Sequence, residues 1–149
     1  MRIEMTTAGR IISEPNFPAL RDEYSAECRT LGLPDPHEKE ELYRAMDKSY
    51  SFAAFGAYED RQLIGFMGIL TPILPHYGVC VAVVESLFVG AAYRKTGAGL
   101  RLIREAESYA RKMHAPAIMI SAPTGGRLMT LLPRLYYHET NRAFCKELK

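Results

Sequence analysis

No apolar run in this 149-residue sequence approaches the ~18 residues that a membrane-crossing helix needs. The first residues, Met-Arg-Ile-Glu-Met-Thr-Thr, lack the apolar core of a secretory leader. Cysteine is scarce and widely spaced (Cys28, Cys80, Cys145), which excludes a disulfide framework and leads us to expect a reducing, cytoplasmic setting. His76 and Cys80 lie four apart with no second pair of ligands, so no metal site is expected, and His37, His114 and His138 are scattered as surface or packing residues. Cys80, within an apolar run, reads as a small buried hydrophobe. An aromatic-basic RNA-binding signature is missing, which argues against a nucleic-acid partner. There is also no internal repeat, low-complexity tract or linker, so residues 1–149 are expected to form one domain that buries about two-thirds of its unfolded surface.

What is present is an ordinary globular composition, 48% hydrophobic and 24% charged, with a net charge of +2. The charge is unevenly spread. Residues 1–60 carry seven Lys/Arg against twelve Asp/Glu, and residues 61–149 carry twelve against five. A basic half suits a polyanionic cofactor and an acidic half a cationic acceptor, although the two halves also complement each other within one fold.

The apolar periodicity gives an order of elements. Arg2–Thr7 is a weak strand. Asn16 caps a helix expected to reach Leu31, ended by Gly32 and Pro34. Pro36–Lys48 reads as a second, charge-rich helix with Leu42, Ala45 and Met46 inward. Ser51–Tyr58 and Gln62–Thr71 form a hairpin around Glu59-Asp60-Arg61. A long strand, Val79–Val89, precedes a helix at Gly97–Met113 whose apolar stripe (Leu102, Ile103, Ala106, Tyr109, Ala110, Met113) packs on a sheet. Ala117–Ser121 is a buried strand, Gly126–Leu135 a short helix, and Tyr137–Glu147 one or two closing strands. The fold class is therefore α/β, with helices flanking a mixed central sheet.

The junction between the long strand and its helix is the most informative stretch. Val-Gly-Ala-Ala-Tyr-Arg-Lys-Thr-Gly-Ala-Gly, residues 89–99, is a bare loop with two glycines, two cations and the unpaired N–H groups of a helix start. Those features together describe a phosphate site. It is not a dinucleotide fingerprint, because Leu102 stands where the third glycine would be. It is not a Walker loop, because Arg94 rather than glycine precedes Lys95.

Arg94-Lys95-Thr96-Gly97-Ala98-Gly99, preceded by Glu85-Ser86-Leu87-Phe88-Val89, resembles the acyl-CoA-binding motif of the GNAT superfamily of N-acyltransferases. The order of elements resembles that family over about residues 1–148 and implies a mostly antiparallel sheet. The resemblance further implies an acetyl-CoA-dependent N-acetyltransferase in which a primary amine attacks the thioester directly within a ternary complex. A homodimer has family precedent but is not displayed by the residues. Two other readings stand beside this one: a catalytically silent acyl-CoA-binding module, and a toxin-type acetyltransferase acting on aminoacyl-tRNA.

The resemblance assigns residues to tasks. N–H groups of Gly97, Ala98 and Gly99 would hold the pyrophosphate, with Arg94, Lys95 and Thr96 beside them, while the backbone of Leu87, Phe88 and Val89 would pair with the pantetheine arm. An amine with a pKa of about 10.4 is neutral roughly once in 10³ at pH 7, a cost of roughly 4–5 kcal/mol that a positioned carboxylate lowers. Glu85, the one acid between Arg61 and Glu105, is the candidate base, or else a strand-end glutamate paired to a neighbour. The family's acid, a tyrosine in a Leu-Tyr-x-x-Leu-Gly-Phe pattern, matches Leu131–Tyr137 imperfectly. Leu132 takes the tyrosine's place and Tyr136 the glycine's. Tyr136 is then the candidate acid, unless the thiol, with a pKa of about 8.5, leaves as thiolate. Tyr137 reads as structural.

Overall fold

The computed structural model describes residues 1–30, 32–34 and 39–148. In chain order the elements are β1 Arg2–Thr6, α1 Ala8–Ile12, α2 Phe17–Glu27, α3 Glu40–Asp47, β2 Phe52–Glu59, β3 Gln62–Leu70, β4 Ile73–Leu74, β5 Val79–Cys80, β6 Ala82–Val89, a 3-10 turn at Ala91–Tyr93, α4 Ala98–Lys112, β7 Ile118–Ile120 and α5 Arg127–Arg134. Five strands form one sheet in the order β1-β2-β3-β6-β7, antiparallel except for the β6–β7 pair. β4 and β5 make a separate hairpin.

Strand alternation divides the apolar residues between two layers. Phe55, Ala57, Met67 and Ile69 face α4, which answers with Ala98, Leu102, Ala106 and Ala110. Phe52, Ala54, Tyr58, Leu63 and Phe66 face the other way, onto Ala8 and Ile11 of α1 and Phe17 and Leu20 of α2. The stripe expected on the central helix is thus the one that packs.

Several expectations need correction. The strand expected over Val79–Val89 is two strands broken at Val81, whose N–H donates to Pro72 O at 3.0 Å, while Ala82 N–H turns to Ala117 O at 3.1 Å. That change of partner moves the chain from the small hairpin into the main sheet. The helix capped by Asn16 stops at Glu27 rather than Leu31, and the Asn16 side chain donates to Leu63 O instead of capping the helix. α1 was not foreseen. Thr7, expected in the first strand, is its N-cap, with Oγ1 accepting from Arg10 N–H at 3.1 Å. Asp47 reaches across from α3 to accept Ala8 N–H at 2.7 Å and Gly9 N–H at 2.9 Å.

That tertiary cap fixes the rotation of α3, so Tyr43 and Met46 pack inward while Leu42, expected inside, is 58% exposed. The first part of the Pro36–Lys48 helix, with Asp35, His37 and Glu38, lies outside the described residues. No strand forms between Tyr137 and Leu148. The large apolar side chains there, Phe144 and Leu148, are 93% and 87% exposed, so no burial drives this stretch onto the edge of the three-residue β7. Among the described residues, no helix is long and apolar enough to cross a membrane.

Candidate active site

The site begins with a register shift. Along β3 and β6, Gly68 faces Ser86 and Ile69 faces Val84, which leaves Glu85 as an extra residue in a β-bulge. The bulge changes which side chains share a face. Ala82 and Val84 pack under α4, and so do Leu87 and Val89, a switch of parity across one residue. Glu85 and Ser86, though adjacent, both line a cavity on the opposite face. Gly68 provides the room: a Cβ there would stand 3.0 Å from Glu85 Oε2 and 3.0 Å from Ser86 Oγ.

This cavity, of about 230 Å³, lies between the sheet and the first three helices. At its edge Tyr43 Oη donates to Glu85 Oε1 over 3.4 Å, a weak bond. Tyr24 packs edge-on against both Phe66 and Phe88, with ring centres 5.6 Å apart in each case. Burial, then the neighbouring Cys28 and the charge of Glu85, push the Tyr24 hydroxyl up to about 12. It therefore keeps its proton through the neutral range. Among the described residues Glu85 is the one acid lining the cavity. Neither Tyr24 nor Tyr43 was foreseen as part of the site, because only the packing of α2 and α3 brings them to β6.

The pairing of β6 with β7 ends at Val84–Ile120, so beyond the bulge this edge of β6 has no strand beside it among the described residues. Gly90 N–H donates to Ile64 O at 3.0 Å. Antiparallel alternation then turns the backbone groups of Leu87 and Val89 toward the open edge, and those of Phe88 toward β3.

The loop that follows is held from within and from outside. Thr96 Oγ1 donates to Tyr93 O at 2.7 Å and receives Ala98 N–H over a long 3.4 Å. Gly97 caps α4 with φ 82° and ψ 7°, a left-handed conformation that favours glycine, and nothing lies within 4 Å of where its Cβ would be. Ala98 is fully buried, while Lys95, Thr96 and Gly97 are exposed beside the helix start. From α2, Glu23 accepts Ala91 N–H at 2.9 Å, and Glu27 accepts Arg94 Nη2 on both oxygens at 2.6 and 2.8 Å. Arg94 also donates from Nε to Val89 O at 3.1 Å and lies over the Phe88 ring.

An open strand edge, a carboxylate beside it and a glycine-led helix start thus follow one another along β6 and its exit. The acetyltransferase (GNAT) family profile matches residues 17–125. The chain belongs to the GNAT acetyltransferase family. Members of this family take an acetyl group from acetyl-CoA and pass it to an amine acceptor. Solved structures share the fold along nearly the whole chain. An aminoglycoside acetyltransferase from an uncultured soil metagenomic sample superposes with a TM-score of 0.74 at 17% identity, covering 99% of this chain and 96% of its own. A ribosomal-protein-alanine N-acetyltransferase from Brucella melitensis biovar Abortus gives 0.72 at 18%, covering 99% and 100%. An aminoglycoside 6'-N-acetyltransferase from Acinetobacter baumannii gives 0.71 at 22%, covering 99% and 97%. No curated protein sequence matches the chain.

Within this GNAT frame the sequence-derived residues fall into two groups. Glu85, the Leu87–Val89 edge and the Arg94–Gly99 loop are brought together along one continuous stretch of β6 and its exit. Tyr136 is set apart: it is 90% exposed and does not line the cavity. Its N–H donates to Pro133 O and that of Tyr137 to Leu132 O, which closes α5 in a Schellman turn with Tyr136 at φ 65°. The residue at the family's glycine position thus adopts the conformation for which glycine is suited. Leu132 is buried in the packing, and Tyr137 Oη donates to Glu107 on α4 at 3.1 Å. Burial and the Glu107 carboxylate push the Tyr137 hydroxyl well above the ordinary tyrosine value. Among the described residues no cluster of His, Cys, Asp or Glu has the arrangement of a metal site.

Proposed function

We propose that residues 1–149 act as one N-acetyltransferase domain that moves an acetyl group from acetyl-CoA to a primary amine by direct attack in a ternary complex. The observation that carries this reading is the bulge at Glu85. It supports a carboxylate on the acceptor side at the point where β6 parts from β7 and its edge opens. Along that edge the backbone groups of Leu87 and Val89 pair with the pantetheine arm, with Phe88 between them holding the strand to β3. At its end the N–H groups of Gly97, Ala98 and Gly99 meet the pyrophosphate, flanked by Thr96 and by the cation of Lys95. Arg94, with its guanidinium on Glu27, fixes the loop that presents them.

The amine enters from the side of α1, α2 and α3. Glu85 takes a proton from its ammonium, directly or through one water, and the neutral nitrogen attacks the thioester carbon. A C–N bond forms, the nitrogen gives its second proton to solvent, the C–S bond breaks and the CoA sulfur leaves with the bonding electron pair. Of the two courses for that sulfur, protonation by Tyr136 or departure as thiolate, the exposure of Tyr136 supports the second. A thiol with a pKa of about 8.5 is a fair leaving group, and solvent supplies its proton afterwards.

A cytoplasmic homodimer is the proposed setting. Three cysteines outside any disulfide suit a reducing compartment, and the exposed Phe144 and Leu148 offer apolar surface to a second copy. The deciding experiment measures thiol release from acetyl-CoA with a panel of polyamines, aminoglycosides, amino acids, simple alkylamines and peptide N-termini. Amine-dependent release is expected. Tight acetyl-CoA binding without turnover anywhere in the panel would instead identify a silent binding module.

A further inference from the structure

The wall facing Glu85 is built largely of hydrocarbon. Ile11 from α1, Phe17 and Tyr24 from α2, Tyr43 from α3, Phe52 from β2 and Phe66 from β3 surround the cavity, and Glu85 and Ser86 bring polar atoms to it side by side. Arg21, the cation of the lining, is paired with Asp22 through Nε and Nη2. Of the acids on the neighbouring helices, both oxygens of Asp47 accept the first N–H groups of α1, Glu40 is bound by Arg44 one turn on, and Glu41 does not line the cavity. The volume, about 230 Å³, is below the roughly 300–1,000 Å³ of cavities that enclose drug-sized ligands.

Resting on the acetyltransferase reading above, we infer that the acceptor is a compact monoamine with an alkyl or aryl body. Its single ammonium meets Glu85, and its hydrocarbon fills the ring-lined wall. Aromatic faces beside the path tolerate one cation on its way to the carboxylate. A second or third ammonium would stand against those walls without an acidic partner among the described residues, and a buried charge without a partner is strongly disfavoured. Polyamines and aminoglycosides are therefore poor acceptors here, although aminoglycoside acetyltransferases share the fold.

The test measures kcat/KM by thiol release for n-propylamine, n-hexylamine, phenethylamine, spermidine and kanamycin, alongside calorimetry of acetyl-CoA binding. One methylene in a hydrophobic pocket is worth about 10- to 200-fold, so n-hexylamine is expected to exceed n-propylamine by at least about 10-fold. Phenethylamine is expected to exceed spermidine and kanamycin by a similar margin. In an Ile12→Glu variant, which adds an acid to the cavity wall and whose folding is checked by thermal melting, the ratio of spermidine to phenethylamine turnover should rise about 10-fold.

Spermidine or kanamycin matching the hydrophobic amines in the wild-type protein overturns the inference and leaves the acetyltransferase reading standing. Turnover of other amines but of neither n-hexylamine nor phenethylamine overturns it as well, whereas acetyl-CoA binding without turnover of any amine removes the acetyltransferase reading itself. Failure to bind acetyl-CoA at all removes the reading on which it rests. The chain-length series needs no variant, so the inference can fail even if Ile12→Glu does not fold.

Discussion

Glu27 on α2 holds Arg94 through both carboxylate oxygens, at 2.6 and 2.8 Å, and so ties a helix that lines the cavity to the loop at the end of β6. Arg94 therefore has a job other than meeting phosphate. It links α2, the Val89 carbonyl and the Phe88 ring into one support under the glycine turn.

Glu27→Gln should loosen that support without unfolding the protein. The pair is partly solvated, with side chains 25% and 46% exposed, so its loss should change stability by less than about 1 kcal/mol. Acetyl-CoA affinity should weaken by about fivefold, the equivalent of roughly 1 kcal/mol. Calorimetry of binding beside a thermal melt separates the two. Unchanged affinity would reduce the pair to an ordinary surface contact.

At Gly97 conformation and space act separately. The left-handed φ of 82° disfavours any side chain, by about 1–2 kcal/mol, yet the surroundings of the missing Cβ are open. Gly97→Ala should thus lower stability modestly and retain some acetyl-CoA binding, whereas Gly97→Glu, which sets a carboxylate at the proposed pyrophosphate site, should abolish it. Equal affinity in Gly97→Glu and wild type would remove the phosphate assignment.

Replacing the proposed base has a signature in pH. Glu85→Gln should lower kcat/KM by about 10²–10³ at neutral pH with acetyl-CoA affinity intact. The deficit should shrink as pH rises toward the acceptor's own pKa, because the free amine then needs no base. A variant whose profile parallels the wild type would take Glu85 out of the proton transfer.

Tyr136 and Tyr24 make opposite predictions about tyrosine. Tyr136→Phe should leave turnover within about twofold, since its hydroxyl stands in solvent away from the cavity. A fall of tenfold or more with intact acetyl-CoA binding would make it the acid after all.

Tyr24 should report in alkaline stability instead. Its hydroxyl is held up to about 12 when folded, against the ordinary tyrosine value of 10.0. The folded state therefore keeps a proton that the unfolded chain gives up, and its contribution is full below about pH 10 and declines as pH rises toward 12. Denaturant titrations at pH 8, 10 and 11 should show a steeper decline in the wild type than in Tyr24→Phe.

Local pattern was enough for much of the scaffold. The hairpin of β2 and β3, the stripe of α4 and the glycine turn before it are encoded in residues close together in the chain, where period and turn chemistry speak directly. The same holds for Arg94–Gly99 as a motif, since a helix start following a strand needs only its own residues to be recognised. The missed features are of another kind. α1 exists because Asp47, some forty residues on, caps it, and Leu42 faces out because that cap sets the rotation of α3.

The chain by itself determined which residues are available: one carboxylate in an apolar strand, two glycines at a helix start, and a leucine where the family places its tyrosine. Tertiary structure decided which of them meet. The bulge opposite Gly68 turned Glu85 and Ser86 to one side, and α2 claimed Arg94 for the loop's support. Register, helix rotation and the choice among competing partners depend on contacts between distant segments, and no local pattern carries that information.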